Sequence, residues 1–154
     1  MKYILELEID CPRERVVELY ADPENWPAWQ ESLAGYEILS GSDRAEGMKT
    51  RLSNRFGSRV VEIVETVEAN RLPDEMVCTY EAQGAWNRVA NRFTVTVPDK
   101  TRWEFDTEFR CRGMLRVMGL LLPGMFRKAS PKEMRAFKRF AESRAQSANY
   151  QSVN

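Results

Sequence analysis

The residues best placed to do chemistry are polar side chains that strand alternation puts on one face of successive runs: Asn54, Glu65, Tyr80, Asn87, Asn91 and Thr107. Asn87 and Asn91 share one such run, so both amides point to the same side. An unpaired amide in a packed core costs on the order of 1–3 kcal/mol. Two together therefore ask for a wet or ligand-filled cavity, or for backbone groups and a buried water that they satisfy. Glu65, if buried without a partner, would have a raised pKa and would suit general acid or base catalysis, with Tyr80 as a second proton carrier. Paired with an arginine such as Arg51 or Arg88, the same glutamate would be structural.

Composition removes many alternatives. The sequence has no histidine, which excludes Ser-His-Asp and Cys-His nucleophilic machinery and every histidine-containing metal site. Cys11, Cys78 and Cys111 are widely spaced without a C-x-x-C pair, so neither a zinc site nor a disulfide framework is expected. No motif asks for a metal or a cofactor. The 23 basic and 23 acidic residues cancel, leaving no bulk field to recruit nucleic acid or an acidic membrane. After Phe109 the balance is locally skewed, with 10 basic residues against 2 acidic ones. No aromatics interleave there for base stacking, so the segment reads as a solvated helix face rather than a nucleic-acid interface. Glutamates interrupt the N-terminus where a signal peptide needs an apolar core, and the run from Met118 to Met125 is too short to span a bilayer. These features predict a cytoplasmic protein with no stable membrane insertion. They do not set its oligomeric state.

The elements that would hold these residues follow from period and punctuation. The 154 residues suit one domain, over 1–145, with an uncharged Ser-, Gln- and Asn-rich tail over 146–154 expected to fray. Tyr3, Leu5, Leu7 and Ile9 alternate with polar residues as a half-buried strand. Pro12 opens a helix carrying Val16, Val17 and Tyr20, and Pro23 and Pro27 force a second short helix that brings in Trp26 and Trp29. From Leu33 to Arg112, turn residues recur at hairpin spacing. Inward positions are Met48, Thr50, Leu52 and Asn54, then Val61, Ile63, Glu65 and Val67 unless a bulge exchanges that set, then Met76, Cys78 and Tyr80. The next strand offers Asn87, Val89, Asn91, Phe93 and Val95. The last offers Trp103, Phe105, Thr107, Phe109 and Cys111 against an outer row of charges. After Gly113 the period turns helical, with Met114, Met118, Leu121, Met134 and Phe137 on one stripe. Pro123-Gly124 interrupts or kinks that stripe, and Ser130-Pro131-Lys132-Glu133 has the spacing of a capping box.

In this order the elements resemble the START-like, or SRPBCC, superfamily, and within it the polyketide cyclase/dehydrase and lipid-transport group. The resemblance rests on the opening strand and helix ending in Tyr20-Ala21-Asp22, on Trp26-Pro27-Ala28-Trp29, on the hairpin array and on the terminal helix. It extends to Thr79-Tyr80-Glu81-Ala82, Gly84-Ala85-Trp86-Asn87 and Phe109-Arg110-Cys111-Arg112-Gly113. It implies an α+β helix-grip fold, a seven-stranded curved antiparallel sheet around a long C-terminal helix, with a hydrophobic ligand cavity between them. It implies no particular activity.

The expected function is binding or transport of a lipid-like or polyketide-like small molecule, without a cofactor. Asn54, Tyr80, Trp86, Asn87, Asn91, Trp103, Phe105, Thr107, Met114, Met118 and Leu121 are expected to line the cavity. The alternatives are a polyketide aromatase/cyclase, with Glu65 and Tyr80 handling protons, and a protein-interaction module that uses the basic helix. The strand phases carry their own test. Cys78 and Cys111 fall on inward positions, so both should label slowly with a thiol reagent in the native state and stay unbridged; rapid labelling would contradict the phases.

Overall fold

The computed structural model describes residues 1–113 and 122–152, with side chains in the second segment from residue 127 onward. The chain begins with β1 (Lys2–Ile9) and α1 (Arg13–Ala21). A 3-10 turn over Pro23–Asn25 follows, fixed by the Asp22 carboxylate accepting from the Glu24 N–H at 2.9 Å. After it come the short α2 (Trp26–Trp29) and six strands, β2 (Leu33–Ser40), β3 (Lys49–Phe56), β4 (Arg59–Arg71), β5 (Glu75–Ala82), β6 (Ala85–Val97) and β7 (Lys100–Cys111). The last element is α3 (Leu122–Ser152). The sheet is antiparallel throughout, in the order β1-β7-β6-β5-β4-β3-β2, so the first strand pairs with the last. The predicted helix-grip architecture is the observed one.

Alternation sorts each strand as expected, except that Val95, read as inward, lies near the end of β6 beside a register shift and is exposed. On the concave side stand Met48, Thr50, Leu52 and Asn54 of the β3 segment, Val67 of β4, Met76 and Cys78 of β5, Val89, Asn91 and Phe93 of β6, and Trp103 and Thr107 of β7, all buried. The convex side carries charges in ladders: Arg88 with Glu68, and Arg92 with Glu75, Glu104 and Asp106. The anticipated bulge lies in β4 between Val67 and Ala69, past Glu65, so Val61 to Val67 keep their phase. Beyond it the parity flips. Ala69 joins Val77 and Ala90 in a small apolar patch on the convex side.

Tyr20 centres the core. Its ring meets Trp29, Phe93, Trp103 and Phe137 at centroid distances of 5.9, 5.4, 5.8 and 5.6 Å. This joins α1, α2, the sheet and α3 in one aromatic cluster. Among the described side chains of α3, Met134, Phe137 and Ala141 are the buried ones. The helix lies mainly against β1, α1 and α2. It also reaches the sheet's outer edge, where Lys138 donates to the Glu8 carbonyl and Glu142 accepts from the Asp10 N–H.

Two expectations for α3 change. The helix runs through Pro131 without a break, so Ser130 to Glu133 form no capping box, and the Ser130 hydroxyl meets the Tyr3 hydroxyl at 3.0 Å. Helix also continues to Ser152 across most of the tail expected to fray.

The core contains one exacting polar contact. Asn91, fully buried, accepts at Oδ1 from the Trp103 indole N–H at 2.9 Å, while its Nδ2 has no partner. Asn91→Leu should therefore cost about 1–3 kcal/mol, because it orphans the indole N–H. Trp103→Phe added to that variant should cost less than the two single losses summed. Urea unfolding of the three variants checks this, and strict additivity would contradict the contact.

Candidate functional site

Accessibility along the concave face runs as a gradient. At the end near Met48, Val67, Met76, Phe93 and Trp103 every inward side chain is buried. Towards the β3–β4 and β5–β6 turns, Ile63, Tyr80, Asn87, Phe105 and Phe109 keep part of their surface open, and Phe56 is 44% exposed. Sheet curvature and α3 close the first end, and at the second the inward side chains stay partly open. Met114, Met118 and Leu121, expected on the helical wall of a cavity there, lie outside the described residues.

Between the buried end and the partly open one sits a buried ion pair. Glu65 points inward, 3% exposed, and its carboxylate takes a hydrogen bond from Arg44. The partner is thus neither Arg51, which pairs with Glu37 and Glu62, nor Arg88, which pairs with Glu68. Arg44 comes from the β2–β3 loop, and the loop's geometry delivers it. Gly41 has φ +81°, and an added Cβ would stand 2.9 Å from the Met48 Cα. Asp43 and Arg44 follow with φ of 54° and 55°, turning the chain so that the guanidinium enters the interior. There it lies 4.9 Å from the Trp26 ring centroid and donates to the Cys78 sulfur at 3.6 Å. The Asn70 side chain holds the Arg44 carbonyl at 3.0 Å.

The pair sets the electrostatics nearby. Burial works against the charge on Arg44, but the adjoining Glu65 carboxylate outweighs it and raises the guanidinium's pKa. Burial, then the Glu65 charge, holds the Tyr80 hydroxyl well above the usual tyrosine range. Burial likewise holds Tyr20 up. Cys78 is pushed up to about 12 and Cys11 to about 11, chiefly by burial, so neither is a thiolate nucleophile near neutrality. All three cysteines are free.

The other candidates divide. Asn54 and Thr107 are buried on the concave side. Asn87 donates to the Thr107 hydroxyl at 2.7 Å and to the Glu108 carbonyl at 2.9 Å, so its amide is used by the sheet itself. Asn91 bonds Trp103, and Phe105 packs edge-on against Trp103 at 6.5 Å. Trp86 is corrected: it shares the convex face with Arg88 and lies under the Arg110 guanidinium, 4.8 Å from the ring centroid, so it does not face the concave side. Sequence reasoning missed Arg44. The available signal was Glu65 itself, since an inward carboxylate demands a cation and Gly41-Ser42-Asp43-Arg44 is a turn that can send one inward. Among the described residues no cluster of acidic or cysteine side chains is arranged to hold a metal ion, and no helix is long and apolar enough to cross a membrane.

Comparison with known proteins places this geometry. The chain is similar in structure to the Zhui aromatase/cyclase from Streptomyces sp. R1128, with a TM-score of 0.81 at 14% identity over 94% of each chain. A protein from Thermus thermophilus matches with a TM-score of 0.74 at 17% identity, over 96% of this chain and 99% of that one. A START superfamily protein from Mycobacterium smegmatis matches with a TM-score of 0.71 at 14% identity, over 96% and 98%. At these identities the likeness is one of fold. No curated protein matches the sequence. The family model described as polyketide cyclase/dehydrase and lipid transport spans residues 5–142, from β1 to the inner stripe of α3, and the chain belongs to that family.

Proposed function

We propose that the protein binds an apolar small molecule in the recess between the open end of the concave sheet and α3, as a carrier or sensor. The gradient of accessibility carries this reading: Ile63, Tyr80, Phe105 and Phe109 face inward yet remain partly open, which a filled core would not leave. Family membership supports a ligand-binding domain and leaves the ligand undetermined. The cyclase alternative would need a free proton acceptor. Glu65 is engaged by Arg44, and the Tyr80 hydroxyl is held in its protonated form.

Titration with a neutral environment-sensitive dye tests the proposal. Wild-type protein should bind it, and Ile63→Trp should abolish binding while changing stability by less than about 1 kcal/mol. Overpacking of a filled core would instead cost about 1–3 kcal/mol or more. Absence of dye binding to the wild type, together with strong destabilisation by Ile63→Trp, would overturn the carrier reading. Glu65→Gln should destabilise by about 3–5 kcal/mol, because it strands the Arg44 charge in the interior. A variant of full stability that fails only in a chemical assay would favour catalysis by Glu65 instead.

A further inference from the structure

The two edges of the sheet are built differently. β2 is interrupted by register shifts between Leu33 and Gly35 and between Ile38 and Ser40, irregularities that make an edge unfit for further pairing. β1 pairs with β7 from Lys2 to Ile9 without a shift, so its outer margin is regular.

Parity decides which groups that margin presents. Met1 and Phe109 exchange both backbone hydrogen bonds, at 2.8 and 2.7 Å. Odd residues of β1 therefore bond to β7, and Lys2, Ile4, Glu6 and Glu8 turn their N–H and C=O groups to the edge. α3 occupies only the far part of this margin, through Lys138 on the Glu8 carbonyl and Glu142 on the Asp10 N–H. No described residue bonds the edge-facing backbone groups of Lys2, Ile4 or Glu6.

The side chains over those groups form a self-complementary row. Lys2, Ile4 and Glu6 lie together on the convex face and are exposed, Ile4 by 58%. Glu6 stands opposite Glu104, a like charge that Arg92 already holds. Among the described residues Glu6 has no ion-pair partner. Two carboxylates directly across a ladder repel, and a cation arriving at the edge would relieve them.

We propose that a second copy of this chain docks on β1, antiparallel and edge to edge, with the two Ile4 residues opposite one another. In this register Lys2 of each copy faces Glu6 of the other. Lys2, Ile4 and Glu6 exchange backbone hydrogen bonds with their counterparts across a two-fold axis normal to the sheet. The margin selects this register over its neighbours. A shift in one direction sets Ile4 against Glu6 and needs the Glu8 carbonyl, which Lys138 holds. A shift in the other pairs Ile4 with Lys2 and loses both ion pairs. On the concave side, Met1 of the second copy stands opposite Leu7. A groove of about 440 Å³ between β1 and α3, lined by Leu5, Leu7, Pro131 and Met134, offers that side chain apolar surface.

Sedimentation velocity across a concentration series tests the pairing. Wild-type protein should pass from the monomer to twice its mass as concentration rises. Ile4→Pro removes an N–H that faces the edge and no bond to β7, so it should keep a urea midpoint close to the wild type and stay monomeric. Lys2→Glu and Glu6→Lys each set like charges opposite one another and should each weaken dimerisation on the order of tenfold. Mixed in equal amounts, these two variants should form a heterodimer, because every facing pair is then opposite in charge. The mixture also controls for the Glu108 contact that Lys2→Glu removes, which a second chain would not restore. A wild type that stays monomeric throughout the series overturns the proposal. So does a dimer that persists in folded Ile4→Pro, or a mixture of the charge variants no more associated than either alone.

Discussion

The concave surface of a seven-stranded sheet is wider than one helix can cover, and this molecule meets the mismatch unevenly along its length. At one end Tyr20 gathers Trp29, Phe93, Trp103 and Phe137 into a cluster that fills the space between sheet, α1, α2 and α3. At the other end the inward side chains stay partly open. Aromatic rings suit the closed end, since each buries a large area at the cost of few rotatable bonds. The open end owes its existence to the closed one. With α3 held against β1, α1 and α2 by the aromatic cluster, it cannot collapse onto β3 to β5.

The Arg44–Glu65 pair stands at the boundary between the two. A buried ion pair is a weak source of net stability, because desolvation offsets the attraction. Its effect here is positional: it binds the β2–β3 loop to β4 and leaves the interior near Cys78 and Tyr80 neutral overall. The strained loop is the corresponding cost. Gly41 is required where a Cβ would strike Met48, and two non-glycine residues with positive φ follow it.

Period-2 patterning made the sheet readable. Trp103, Phe105 and Thr107 against Arg102, Glu104 and Asp106 admit only one buried face, and the same alternation placed Cys78 inward. For Glu65 the sequence left a bulge open, and its inward direction follows from the bulge falling beyond Val67. Three things were not readable, each because it depends on contacts distant in sequence. Arg44 is polar and sits in a turn, and nothing local distinguishes an arginine that folds inward from one in solvent. The Ser130 to Glu133 spacing fits a cap, but the packing of Met134 and Phe137 just beyond it carries the helix across Pro131. Asn87 and Asn91 were correctly placed inward, yet their amides are largely taken up by Thr107, the Glu108 carbonyl and Trp103. Alternation reports direction; it is silent on the partner. Trp86 shows how strictly that direction applies, since one residue's offset from Asn87 puts it on the opposite face.

The sheet is open, so β1 is an edge strand, and α3 does more there than cover a core. Lys138 and Glu142 occupy backbone groups of Glu8 and Asp10 that would otherwise be free to pair with another strand. Helix docking and edge protection are thus a single event. Any lesion that lifts α3 away uncovers a hydrophobic face and an unpaired strand margin together, the two features that drive intermolecular sheet growth. Loss of the helix should therefore appear as aggregation before it appears as a lost ligand.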